Sequence, residues 1–128
     1  MHKHLTATFF VSSFATLAIV HVLATKFFLY WMYFWLDIPV HFLGGVTVVL
    51  GFLLCRELTH AIPERYYTYV PALTVVLIVG LLWELFEVMI GASLDDDGFV
   101  FDFFKDISMD VLGGLLGYML IEQLRKFN

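Results

Sequence analysis

Four long apolar segments alternate with short polar connections along the chain. The segments cover approximately residues 5–30, 38–54, 70–90 and 103–124, and the connections between them hold most of the turn formers and charged side chains. A helix of roughly 20 apolar residues is long enough to cross the hydrocarbon core of a bilayer. The pattern therefore predicts four transmembrane helices.

The composition indicates an integral membrane protein. The 128 residues are 61% hydrophobic and 15% charged, with a mean hydropathy of +0.88, whereas soluble domains carry about 25% charged residues. Because four spans use most of the chain, we predict a single transmembrane domain over residues 1–128 that folds as an all-α four-helix bundle. The net charge of −5 argues against a nucleic-acid partner.

The distribution of positive charge predicts the orientation. Four spans place both termini and the connection around residues 55–69 on one side of the membrane. That side carries Lys3, Arg56, Arg65, Arg125 and Lys126, against Lys26 and Lys105 on the other. Positively charged loops stay in the cytoplasm, so we expect both termini there and the protein in the inner membrane of the cell. The first segment is longer than a signal-peptide core, and we expect it to span.

Ionisable residues of three segments fall at one level of the membrane. Asp37 opens the second segment, and His41 follows one turn later, about 6 Å deeper on the same helical face. Two glutamates lie in the last turns of the third segment, and three aspartates follow one another at intervals of four residues in the fourth. These five are Glu84, Glu87, Asp102, Asp106 and Asp110. All seven residues are expected to meet near the outer leaflet.

Six carboxylates at this level require compensating positive charge. An ionised side chain at the centre of a membrane helix costs about 2.5–3.5 kcal/mol on insertion scales. Lys26 and Lys105 offer only two positive charges. We therefore predict one or two divalent metal ions, with His41, Glu84, Glu87, Asp106 and Asp110 as ligands. Carboxylates with one imidazole suit Mg²⁺, Mn²⁺, Ca²⁺, Zn²⁺ or iron, and the sequence does not choose among them.

Each polar residue also has a structural interpretation. The acidic residues that open the second and fourth segments can cap their helices, and a single histidine in an apolar segment is more often hydrogen-bonded than metal-bound. Either glutamate can pair with a lysine. Asp106 and Asp110 fit this interpretation less well, because they lie inside an apolar segment. His21 can join the site, although a structural role is favoured.

The remaining motifs indicate structure rather than chemistry. The stretch SLDDDG contains three aspartates, Asp95–Asp97, but a calcium loop that begins at Ser93 has Phe104 where a bidentate acid is required. We interpret the aspartates as a solvated turn. The glycines of HFLGG and GGLLG predict close approach of two helices.

Three motifs carry a resemblance to known proteins. In order, DIPVHFLGG, WELFE and DFFKDISMDVLGGLLG resemble the pattern of the YjdF-like group of small membrane proteins and, more loosely, that of the VanZ-like family. The resemblance covers the second to fourth segments and implies a shared polar set of Asp37, His41, Glu84, Glu87, Asp102, Asp106 and Asp110. VanZ-like proteins are associated with glycopeptide-antibiotic resistance but have no established reaction to carry over. They tend to have glutamine where this chain has Glu87.

The leading hypothesis is a membrane-embedded, metal-dependent hydrolase whose substrate is a membrane lipid or a lipid-linked phosphate. The metal would polarise the substrate, and Asp37 or Asp102 would act as the catalytic general base. One alternative is a divalent-cation binding or transport subunit, although the cytoplasmic halves of the segments carry few polar residues for a path. The other is a structural membrane protein with a buried polar network.

Overall fold

The computed structural model describes residues 2–59, 63–91 and 98–126, and all the regular structure within them is helical. The long helices are α1 (His2–Lys26), α3 (Asp37–Thr59), α4 (Tyr69–Ile90) and α5 (Phe99–Lys126), and a short helix α2 (Leu29–Met32) follows α1. Single 3₁₀ turns, Phe34–Leu36 and Glu64–Tyr66, precede α3 and α4.

In the described part of the chain, four helices are long and apolar enough to cross a membrane. These candidate spans are His4–Lys26, Phe34–Thr59, Tyr69–Ile90 and Phe99–Lys126. They confirm the predicted all-α membrane fold.

The observed bounds differ from the predicted ones by about one turn at three ends, and at one of these α5 begins at Phe99 rather than near residue 103. The first helix stops at Lys26, because Phe28 adopts a left-handed backbone conformation with φ of 55°. The helix α3 continues to Thr59, about one turn beyond the apolar run, because charged residues of this turn find ion-pair partners.

Helix α3 lies at the centre of the bundle. It packs most extensively against α5 and also contacts α1 and α4, whereas α1 packs mainly against α3. Two glycines permit the close approach of α3 and α5: a Cβ at Gly45 would lie 1.9 Å from the Asp110 carbonyl oxygen, and one at Gly113 would lie 2.0 Å from that of Phe42. Helix interfaces in membranes depend on such small residues.

An apolar layer separates two polar ends of the bundle. The layer contains two buried clusters, one of Val49, Ala72 and Val76 and the other of Leu50, Leu53 and Ile121. One end, called here the carboxylate end, contains His41 and the carboxylates close to it, Asp37, Glu84 and Asp110. The other, called the arginine end, contains Arg56 and Arg125 with their partners. Large apolar side chains face outward on the long helices, where a bilayer would surround them.

Candidate metal centre

His41 lies at the centre of the carboxylate end and is almost fully buried. Its Nε2 is 3.5 Å from an Asp37 oxygen, one turn away on α3, and 3.9 Å from Glu84 Oε1 on α4. Its Nδ1 is 3.3 Å from Asp110 Oδ2 on α5. Three helices therefore present carboxylates to one imidazole ring.

Lys105 brings positive charge to one side of this cluster. Its ammonium forms an ion pair with Asp102 one turn earlier on α5, and it lies 3.2 Å from Asp106 Oδ1 and 3.7 Å from Asp37 Oδ2. Asp106 is 2% exposed, so Lys105 compensates a carboxylate that water does not reach. The other lysine expected at this level, Lys26, is exposed and lies over the Phe27 ring.

Two groups of side chains at this end have the geometry of a metal site. One consists of Asp37, His41 and Asp106, and the other of His41, Glu84 and Glu87; within each group the potential ligand atoms lie within 4.8 Å of one another. Both groups use His41, and each draws on two helices. The buried cluster therefore has the geometry to bind a metal ion.

The two groups differ in how their charge is already compensated. The aspartates of the first group face the Lys105 ammonium. No lysine or arginine within the described ranges forms an ion pair with Glu84 or Glu87. Glu84 is only 6% exposed, and its Oε1 accepts no hydrogen bond from the described residues. A buried carboxylate oxygen without a donor is costly and calls for a cation or a proton.

The Asp110 carboxylate packs against two glycines on neighbouring helices. A Cβ at Gly80 on α4 would lie 2.6 Å from Asp110 Oδ2, and one at Gly44 on α3 would lie 3.4 Å from Oδ1. The absence of a side chain at Gly80 thus allows the carboxylate to reach His41. Sequence reasoning did not identify Gly80, and its only signal was a glycine one helical turn before Glu84.

The sequence matches the family described as "Predicted membrane protein (DUF2238)" over residues 2–126. The chain belongs to this family. No curated protein and no solved structure matches it.

The carboxylate end of this DUF2238 protein contains all seven residues that the sequence placed at one level. The ion-pair distances and the two groups described above connect Asp37, His41, Glu84, Glu87, Asp102, Asp106 and Asp110. Their roles as ligands or bases stay predictions. The predicted acidic turn, Asp95–Asp97, lies outside the described residues.

His21 lies beside this cluster rather than within either group. Its Nδ1 is 3.0 Å from the Tyr30 hydroxyl, and its ring lies edge-on to Trp83, with centroids 5.3 Å apart. Burial, together with the negative charges of Asp37 and Glu87, raises the pKa of Tyr30 to about 12. The phenol therefore keeps its proton at neutral pH. This arrangement agrees with the structural role favoured for His21.

The arginine end contains an ion-pair network that sequence reasoning missed. Arg125 pairs with Glu57 and with Glu122 at 2.5 Å in each case, and Arg56 pairs with Glu64 at 2.6 Å. Thr6 of α1 donates a hydrogen bond to Glu57 over 2.9 Å. The network joins α1, α3 and α5 at this end. The residues of the network are dispersed along the sequence, so no local motif indicated it.

Proposed function

We propose that the protein binds a divalent metal ion at its carboxylate end and uses it to hydrolyse a membrane lipid or a lipid-linked phosphate. The observation that carries the proposal is the buried Oε1 of Glu84, which accepts no hydrogen bond from the described residues and lies 3.9 Å from the Nε2 of His41. Glu87 lies within ligand distance of the same position. Two carboxylates and an imidazole around one point form a donor set that divalent metals accept.

Of the two possible groups, His41, Glu84 and Glu87 are the proposed ligands. The other group shares its aspartates with Lys105, and an ammonium at that distance opposes a second cation. Asp37 lies next to His41 on the same helix and is close enough to add a fourth ligand or to accept a proton. A second ion, which the sequence left open, would have to displace Lys105.

Asp110 has a different proposed role from the one expected from the sequence. It contacts Nδ1 of His41, which leaves Nε2 for the metal. Metal-bound histidines usually donate their other ring N–H to a carboxylate, which fixes the tautomer and the ring orientation. Asp110 is therefore proposed as the residue that orients His41.

The proposed chemistry uses the metal as a Lewis acid. A divalent ion polarises a phosphoryl oxygen and lowers the pKa of water. Asp37 is the better placed of the two predicted general bases, because one of its oxygens is 3.5 Å from His41 Nε2 and its other oxygen is 3.7 Å from Lys105, whereas Asp102 forms the closest ion pair of Lys105. Mg²⁺, Mn²⁺, Ca²⁺, Zn²⁺ and iron are all compatible with these donors.

We also propose a relationship to named groups of membrane proteins and an orientation in the membrane. The motif order supports grouping the chain with YjdF-like and, more loosely, VanZ-like proteins. The excess of lysine and arginine on the side of the termini supports a cytoplasmic position for both ends in the inner membrane. The carboxylate end would then face the outer leaflet.

A structural role is the second candidate, and the contacts of Lys105 favour it. One ammonium faces three aspartates on two helices, so the network alone can hold α3 and α5 in register. A transport role has less support, because the apolar layer separates the carboxylate end from the arginine end within the described residues.

The metal content of the purified protein tests the proposal. We expect about one equivalent of a divalent metal after a mild chelator wash, lost in Glu84→Gln and His41→Ala and retained in Glu64→Gln, whose side chain is 70% exposed at the other end. Hydrolysis of a lipid phosphate should stop on full chelation and return with one divalent ion. Absence of metal in the parent protein would leave the structural role as the better explanation, and activity indifferent to chelators would exclude metal catalysis.

A further inference from the structure

Two cavities meet beside the carboxylate end. The lower cavity, of about 320 Å³, has an almost wholly apolar lining from α1, α3 and α4, with His41 and Asp110 at its polar boundary. The upper cavity, of about 480 Å³, lies toward the ends of α1 and α4 and is lined by aromatic and acidic side chains. His21 and Trp83 line both cavities, so the two adjoin at these residues.

The upper cavity has the chemistry of a site for an organic cation. Its acidic residues are Asp37, Glu84, Glu87 and Asp102, and its aromatic residues include Tyr30, Trp31, Phe34, Phe99 and Phe103. None of the described residues that line it is a lysine or an arginine. Aromatic faces and carboxylates together attract ammonium groups, including the quaternary ammonium of choline. Lys105 compensates only part of this charge, because it faces Asp37 and Asp102, whereas Glu84 and Glu87 form no ion pair with a lysine or arginine of the described ranges. The cavity is therefore negatively charged and would repel a purely anionic group.

The lower cavity has the chemistry of a site for an alkyl chain. It lies within the membrane-spanning part of the bundle, between the peripheral helix α1 and helix α4. Leu17 and Ala18 on one side and Val76 and Val79 on the other supply apolar walls. A polar ligand would find few partners there, whereas a hydrocarbon chain from the surrounding bilayer would lose no hydrogen bonds on entering.

The geometry points to a zwitterionic phospholipid as the ligand of this protein, with its ammonium group in the upper cavity and one acyl chain in the lower. Along such a lipid the order is ammonium, phosphate and chain. Along the protein the order is aromatic and acidic cavity, proposed metal ligands and apolar cavity. The inference deepens the proposed function, because it names the lipid class and puts its phosphate beside the proposed metal; the ammonium and chain sites do not themselves require a metal.

Photo-crosslinking tests the inference. The protein is placed in phosphatidylglycerol nanodiscs with a trace of phosphatidylethanolamine that carries a diazirine in one acyl chain, or of phosphatidylglycerol with the same chain. Crosslinked peptides are then mapped by mass spectrometry. We expect the phosphatidylethanolamine probe to label residues 14–21 of α1 and 76–83 of α4 about tenfold more strongly, because the contact of an ammonium group with aromatic faces in a desolvated site corresponds to about this factor in binding.

Two alanines on α1 supply a matched pair of variants. Both alanines are exposed, but Ala18 lines the lower cavity, whereas Ala15 lines neither cavity. Ala18→Phe should strongly reduce the labelling of residues 14–21 and 76–83, because the ring would occupy part of the lower cavity that the acyl chain needs. Ala15→Phe should leave it unchanged, and both variants should elute as the parent does in size-exclusion chromatography.

The outcomes separate this inference from the metal proposal. Equal labelling by the two probes, or equal effects of the two alanine variants, would overturn the inference even if the same sample binds metal. Headgroup preference and sensitivity to Ala18→Phe in a protein without metal would support the lipid site and count against the proposed hydrolase.

Discussion

The Asp110 carboxylate packs so closely against Gly80 that one added methyl group at this glycine should disturb the proposed metal centre. In Gly80→Ala the new Cβ would lie 2.6 Å from Asp110 Oδ2, whereas ordinary contact begins at 3.4 Å. The oxygen must therefore move by about 0.8 Å relative to α4. The same oxygen is 3.3 Å from His41 Nδ1. A hydrogen bond that is already long loses most of its strength under such a displacement.

We expect Gly80→Ala to weaken metal binding by about 10–100-fold, which is the usual cost of removing the partner that orients a metal-bound histidine. This corresponds to about 1.4–2.7 kcal/mol. Isothermal titration of the chelator-treated protein in detergent with Mn²⁺ and Zn²⁺ measures the change. Asp110→Asn should give a loss of similar size, because it removes the charge that holds the imidazole.

Gly114→Ala is the matched control at the same helix interface. Its Cβ would lie 2.8 Å from a Val76 methyl carbon rather than from a carboxylate, and it adds the same methyl group to a helix. It should lower thermal stability but leave metal affinity within about threefold, because apolar repacking does not touch His41. Parent-like affinity in Gly80→Ala, or an equal loss in Gly114→Ala, would refute the proposed role of Asp110.

Two further substitutions probe the ion pairs at the two ends. Lys105→Met should lower the melting temperature of the metal-free protein, because Asp106 is then buried without its cation. Added Mn²⁺ should stabilise this variant more than the parent, because the metal can bind where the ammonium was. Arg125→Met should lower the free energy of unfolding by about 1–3 kcal/mol, because the mostly buried Glu57 carboxylate loses its charged hydrogen-bond partner. Thermal unfolding in detergent measures the loss.

Exposed basic residues supply the controls for both substitutions. Lys26→Met removes a lysine that lies over an exposed ring at the carboxylate end. Arg65→Met removes an exposed arginine that lies over the Tyr66 ring and donates a hydrogen bond to its hydroxyl. Neither should change the melting temperature by more than a surface substitution does. If the metal-free Lys105→Met and Lys26→Met variants have the same melting temperature, the burial of the aspartates that face Lys105 does not require its ammonium group.

The spacing of polar residues within each helix was visible in the sequence. Asp37 and His41 share a helical face because they are four residues apart, and the same holds for Asp106 and Asp110. Hydropathy predicted four spans because the bilayer sets the length of an apolar helix. Alternating spans then required the charged ends of α3, α4 and α5 to lie at one level, so the membership of the carboxylate end was predictable.

The pairing within the carboxylate end depended on how the helices pack. Helical periodicity does not state the rotation of one helix against another, so the sequence did not indicate that Lys105 faces Asp106 or that Asp110 reaches His41. The packing of Asp110 against Gly80 likewise follows from the way the helices pack. The two cavities follow from the peripheral position of α1. Local patterns thus determined which residues lie at each depth. Only packing between helices decided which of them touch, because those contacts join residues far apart in the chain.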